Sequence, residues 1–197
     1  MNTTLDQLIS FMSNHRLGIT NNITKSPFEL NDDRYHCSAI IREKKRSCSQ
    51  MVYSVISNYI KQRVICVISI GQNKYKINTF NKSQKKATIH AEEDAIYKLP
   101  PLKRSKRLED VNLVVIRTSR TGVLSNSAPC IHCLKMMKEN AEYKGYKINN
   151  IYFSNKDGNI ECHRLINLIY SNDLHISSYY KLNNYNMDKW LKWRKNI

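Results

Sequence analysis

The sequence predicts an α/β fold: a mixed central sheet of about five strands with helices on both faces. Three observations predict it. Four short apolar segments rich in β-branched residues, YHCSAIIR, VICVISIG, VNLVVIR and NIYFS, read as strands. Helical periodicities fall between the last three of them. The second such helix joins two strands by a crossover, so that last pair runs parallel in the order β-β-α-β-α-β.

The elements follow in order. Leu5, Leu8, Ile9 and Met12 repeat at helical spacing, with Thr3 or Thr4 as a cap. Strands YHCSAIIR and VICVISIG come next, separated by residues 43–63, a long insertion where a hairpin turn would suffice. Its middle, QMVYSVISNYI, satisfies both periodicities in part, which leaves open a helix or an additional strand. If MVYSVIS were the first core strand, YHCSAIIR would become an accessory or edge strand. After His90, AEEDAIYKL places Ala91, Ala95 and Leu99 at helical spacing, with Glu92, Glu93 and Asp94 in the first turn, where negative charge is favoured. A helix from Cys130 to about Tyr143 precedes NIYFS. Cys162 to Tyr170 reads as a short helix with Leu165, Ile166 and Ile169 inward, and Met187, Trp190, Leu191 and Trp193 suggest a last helix. The expected organisation is one domain over residues 1–197, with a helical C-terminal extension from about 172.

Two motifs carry chemistry: His90-Ala91-Glu92 and Pro129-Cys130-Ile131-His132-Cys133. One imidazole and two thiolates meet the needs of a hydrolytic zinc site, because three protein ligands leave the fourth tetrahedral position for water. Cys130 and Cys133, three apart in a first helical turn, lie on one face, and Pro129 suits such a start. The positive end of the helix dipole favours thiolate. Glu92, two residues beyond His90, does not share its direction on a helix. It is therefore placed to carry a proton rather than to act as a fourth ligand. His132, between the cysteines, points to another face and is read as a bystander. Alone, a Cys-x-x-Cys is as often a redox pair or structural knuckle, and His-x-Glu occurs by chance. Their combination in this order is what specifies a catalytic site.

HAEEDAI followed by SAPCIHCLKMM resembles the cytidine and deoxycytidylate deaminase superfamily, from about Tyr35 to Ser154. The resemblance implies a cytidine-deaminase-like three-layer fold, closer to deoxycytidylate and tRNA adenosine deaminases than to the small tetrameric cytidine deaminases. It implies Zn2+ held by His90, Cys130 and Cys133, with Glu92 moving protons between water, the ring nitrogen and the departing ammonia. Ile70-Gly71-Gln72-Asn73 resembles the Gly-x-Asn that ends a strand in many members, which puts Asn73 against the nucleoside. The backbone around Ala91 and the loop before Cys130 would hold the base edge. Some deoxycytidylate deaminases carry an additional zinc, for which His36-Cys37 and Cys162-His163 are conceivable donors; ordinary packing is the commoner use of such residues.

The chain has 32 Lys plus Arg against 16 Asp plus Glu, a formal charge of +16, which attracts phosphate. Arg117 and Arg120 lead toward Cys130 and are candidate substrate contacts; Lys82, Lys85 and Lys86 precede His90, and KRSKR spans 103–107. A solvated charged face or an A+T-rich coding bias accounts equally well for part of this. The expected partner is a nucleotide or a single-stranded nucleic acid, with no membrane and with homo-oligomerisation left open. No apolar run approaches the ~18 to 20 residues that span a bilayer, and the start lacks the regions of a secretory signal, so the expectation is an intracellular protein, cytoplasmic or nuclear. Six cysteines without framework spacing agree with a reducing compartment. Cytosine-to-uracil deamination is the favoured reading. A tRNA or RNA adenosine deaminase and a non-catalytic zinc-stabilised nucleic-acid-binding protein are the alternatives, the latter disfavoured by Glu92. Tyr75, Tyr97, Trp190 and Trp193 are available to stack on bases but are commoner as packing residues.

Overall fold

The structure, a computed structural model, describes residues 3–14, 35–43, 64–75, 88–102, 107–119, 121, 123–177, 181 and 186–197. The elements are β1 (Thr3–Thr4), α1 (Leu5–Asn14), β2 (Tyr35–Glu43), β3 (Val64–Gln72), β4 (Lys74–Tyr75), β5 (Thr88–Ile89) and α2 (Ala91–Lys98). They continue with β6 (Glu109–Thr118), β7 (Leu124–Ser125), α3 (Ile131–Tyr143), β8 (Tyr146–Ser154), β9 (Ile160–Arg164), α4 (Leu165–Tyr170) and α5 (Met187–Arg194).

The main sheet runs β1-β3-β2-β6-β8-β9, with β7 paired to β6; β4 and β5 form a separate two-stranded ladder. Among the described residues, only β6 and β8 pair in parallel, through the crossover helix α3, and the other pairs are antiparallel. This is a mixed sheet in an α/β fold, as the segment order predicts. β2 lies between β3 and β6, so YHCSAIIR is a central strand and not an edge. Residues 44–63, including MVYSVIS, lie outside the described residues.

Strand alternation sorts side chains into two cores. Cys37, Ala39 and Ile41 of β2, Val114 and Ile116 of β6 and Tyr152 of β8 pack under Leu8 and Met12 of α1. Ile40, Leu113, Val115, Ile151 and Phe153 face the other way, against Ala95 and Ile96 of α2 and Ile131, Leu134 and Met137 of α3. Val111 to Ile116 are consequently buried on both faces, which explains the apolar run Leu113–Ile116 of that strand. Leu165 and Ile169 of α4 and Trp190 of α5 join the same core as α2 and α3.

Two expectations need correcting. Residues 162–164 belong to strand β9, and the helix begins only at Leu165. The overlooked signal is the turn 155–159: Asn155 Oδ1 accepts the N–H groups of Asp157 and Asn159, and Gly158 takes φ +80°, closing a β8–β9 hairpin. β9 thereby supplies the fifth long strand. Ile166 is exposed, not inward: this six-residue helix buries Leu165 and Ile169 and packs Leu168 against the core.

Candidate active site

The site is assembled where α2 and α3 begin, and its construction starts at the end of β3. A Cβ on Gly71 would sit 2.0 Å from the Ala91 carbonyl oxygen and 2.3 Å from Ala95 N, so only glycine lets α2 lie directly on the strand. The contact is then fastened by hydroxyls: Ser38 Oγ donates to the Ala91 carbonyl at 2.6 Å and Ser69 Oγ to the Ala95 carbonyl at 2.9 Å. Gln72 N–H donates to Asp94 Oδ2, which also pairs with Lys98 at 2.7 Å. Small residues at 91 and 95 follow from this closeness.

His90 is the N-cap of α2 in extended conformation, yet its side chain caps nothing. Asn73 takes over that duty, its Oδ1 accepting the Ala91 N–H at 2.8 Å. The imidazole is thus free to turn toward α3, whose N-cap is Cys130 and whose first turn carries Cys133. Pro129 stands before the cap rather than inside the first turn. His90 Nδ1 lies 3.2 Å from Cys133 Sγ and 3.5 Å from Cys130 Sγ, and the sulfurs are 3.7 Å apart. A tetrahedral zinc ion with ordinary Zn–S and Zn–N bonds requires about 3.8 Å between sulfurs and about 3.6 Å between nitrogen and sulfur. The three donors fit it within a few tenths of an ångström. They form the candidate metal cluster among the described residues, and no fourth His, Cys, Asp or Glu joins it; His132 stays outside. The separate second metal site does not assemble: Cys37 is buried in the α1-side core, Cys162 is exposed and His163 pairs with Glu161 at 3.0 Å.

Charge among these groups is unevenly shared. Hydrogen bonding from Cys133 and His90 holds Cys130 well below the usual thiol range, and the same contact with Cys130 pushes Cys133 up. The hydrogen bond to Cys130 outweighs burial and raises His90 to about 9. Glu92, in the first turn of α2, is almost fully buried, and desolvation raises its carboxyl. Its Oε2 faces His36 Nε2 at 4.0 Å. Burial, followed by the positive Arg117 on the neighbouring strand, lowers His36 to about 3, so the imidazole is neutral.

Of the other predicted residues, Asn73 is exposed at the mouth of α2, and Ala91 has its N–H occupied by Asn73 and its carbonyl by Ser38. Arg117 is half-buried, with Nη1 3.5 Å from the Asn126 carbonyl in the loop that leads to Cys130. Arg120, Lys82, Lys85, Lys86 and residues 103–106 lie outside the described residues. Trp190 is a core residue, whereas Tyr97 is 53% exposed.

Sequence reasoning missed three features. His36 was readable from strand parity, since it shares a face with Ser38 and Ile40, the face α2 covers. The Ser127–Ser154 pair, 2.8 Å apart and bonded to the Val115 and Ser125 carbonyls, ties the loop before Pro129 to the sheet. The His175 carbonyl accepts the Ile131 N–H at 2.9 Å, so the segment after α4 closes over the start of α3. Nothing in the sequence announces these last two pairings, which are purely tertiary.

Residues 35–146, more than half of the chain, match the cytidine and deoxycytidylate deaminase zinc-binding region. The chain belongs to that family. The cytidine and deoxycytidylate deaminase family binds zinc, and here His90, Cys130 and Cys133 are placed to bind a metal ion. Among solved structures, the dCMP deaminase from the cyanophage S-TIM5, in complex with dCMP and dUMP, is similar at 14% identity. The likeness covers 78% of this chain and 85% of that one, with a TM-score of 0.35. No curated protein matches the chain. No helix among the described residues is long and apolar enough to cross a membrane.

Proposed function

We propose that this chain is a zinc-dependent hydrolytic deaminase that converts cytosine to uracil in a (deoxy)cytidine nucleotide or in single-stranded nucleic acid. The observation that carries the reading is a buried carboxyl, Glu92, one turn from a three-donor metal cluster that leaves a coordination position for a non-protein ligand. A zinc ion held by His90, Cys130 and Cys133 would acidify its water toward neutrality.

The chain's own groups do the rest. Glu92, its proton affinity raised by burial, accepts the proton of the attacking water. It delivers that proton to the ring nitrogen beside the amino-bearing carbon, making the carbon electrophilic, and then helps protonate the amino group, which leaves as ammonia. Water and the amine thus become carbonyl and ammonia with no other reactant. Asn73, exposed beside the N-terminus of α2, lines the approach, held there by the Ala91 N–H; Arg117 is the cation for a substrate phosphate, with Arg120 as a second. The reading takes residues 1–197 as one domain, supported by the packing of α4 and α5 on the same core as α2 and α3.

A panel of cytidine, CMP, dCMP, adenosine and a single-stranded oligonucleotide, assayed for ammonia release with zinc measured on the same sample, tests the proposal. The expected result is turnover of a cytosine substrate at about one zinc per chain, abolished by Glu92→Gln without zinc loss. Turnover of adenosine alone would move the enzyme to the adenosine branch, and zinc and nucleic-acid binding without any turnover would make it a binding protein.

A further inference from the structure

His36 has two connections to the catalytic apparatus. Its carbonyl accepts the Asn73 N–H at 3.2 Å, and Asn73 in turn caps Ala91. Its ring lies on the same face of β2 as Ser38, which bonds the Ala91 carbonyl. One strand therefore meets the first turn of α2 through Asn73, Ser38 and the imidazole. Both His36 Nε2 and Glu92 Oε2 are buried without a hydrogen-bond partner, and they face one another. Burying a polar atom unsatisfied is unfavourable, and two such atoms facing one another indicate a shared partner. Their separation of 4.0 Å is too long for a direct hydrogen bond but matches one polar atom within bonding distance of both. The Glu92 carboxyl also interacts with Cys133 of the metal cluster.

We infer that His36 is a positioning residue for Glu92: through a single bridging water its Nε2 holds Oε2, leaving the other carboxyl oxygen directed at the metal-bound side of the pocket. Burial, and after it the charge of Arg117 opposite His36 in the sheet register, keep a second proton off the ring, so the bridge is made by a neutral imidazole. The inference rests on the deaminase reading for its kinetic consequence, but not for its geometry.

The test uses the full zinc-loaded chain with His36→Phe, which keeps a flat ring without nitrogens, and His36→Gln, which restores a polar group near Nε2. With the best substrate of the panel, His36→Phe is expected to lower kcat by about 10–100-fold, with KM within about threefold and zinc content unchanged. His36→Gln should regain roughly tenfold of that loss. An unchanged kcat, or a loss that tracks zinc loss and is not rescued by Gln, overturns the inference. Independently of activity, protein labelled with 15N-histidine should show the His36 Nε2 resonance shifted by Glu92→Gln while His90 stays metal-bound; no shift also overturns it. Absence of turnover on every substrate, with that resonance still responding to Glu92→Gln, sinks the deaminase reading and leaves the His36–Glu92 coupling standing.

Discussion

Cys130 and Cys133 are the same residue type held in opposite states, because one contact lowers the first and raises the second. Without metal, Cys130 is biased toward thiolate and Cys133 toward thiol, and His90, raised to about 9, is protonated near neutral pH. Zinc needs both thiolates and a neutral imidazole, so loading must expel the protons of Cys133 and His90. Titrating zinc into metal-free protein in weak buffer with a pH indicator should release about two protons per ion at pH 7. The number falls as pH rises through about 9, where His90 is already neutral. Zinc affinity correspondingly rises with pH over this range. A release unchanged by Cys133→Ser would contradict the assignment. Glu92 makes an opposite demand on the fold. Its carboxyl is raised above the unfolded value, so the stability it permits is fully present at low pH and is lost as pH rises through the folded value. Glu92→Gln removes that loss. In metal-free protein at neutral pH it should gain about 0.5–2 kcal/mol in urea unfolding, as relieving a functional group commonly does, with the gain vanishing in acid.

At the scale of elements, the decisive joint is β3 against α2. Gly71→Ala places a methyl against backbone, which cannot rotate away, so α2 must shift and carry His90 with it. We expect a loss of about 1–3 kcal/mol or more in unfolding free energy, together with weaker zinc retention against a chelator; full retention would mean that the helix moves without the ligand. This joint was half-visible in the sequence. The metal donors, Glu92 and the parallel crossover were legible because each is local: fixed spacing within a first helical turn, or apolar runs of defined period. Gly71 and Asn73 were recognisable by resemblance, but their physical roles, close approach and capping on behalf of His90, depend on where α2 lands. β9 was lost because IECHR alternates weakly and borders a helix. His36 stood in plain view beside an apolar Cys37, and only the pairing of β2 with β6 and the position of α2 give its ring an address.

For the whole molecule, the excess of positive charge is the feature that separates the two substrate classes. Some cations are already committed: Lys98 to Asp94, Lys135 to Glu139, Lys138 to Glu142 and Arg42 to Glu109. These are partly exposed pairs worth little to stability, yet each reduces the charge available to a ligand. A nucleotide engages a phosphate with one cation such as Arg117, whereas a single strand tracking across the surface engages several. Binding of single strands falls with salt as about 0.7 power per phosphate neutralised. Between 50 and 200 mM salt, one contact therefore weakens binding by about threefold and four contacts by about 50-fold. If the substrate is a free nucleotide, KM for dCMP should rise by no more than about threefold over that range, and Arg117→Ala should remove most of the dependence. A steep loss of oligonucleotide affinity that survives Arg117→Ala would instead put the phosphate track on other cations and make the polymer the substrate. Either slope is a property of the whole charge distribution, and it discriminates where the zinc centre, common to both chemistries, does not.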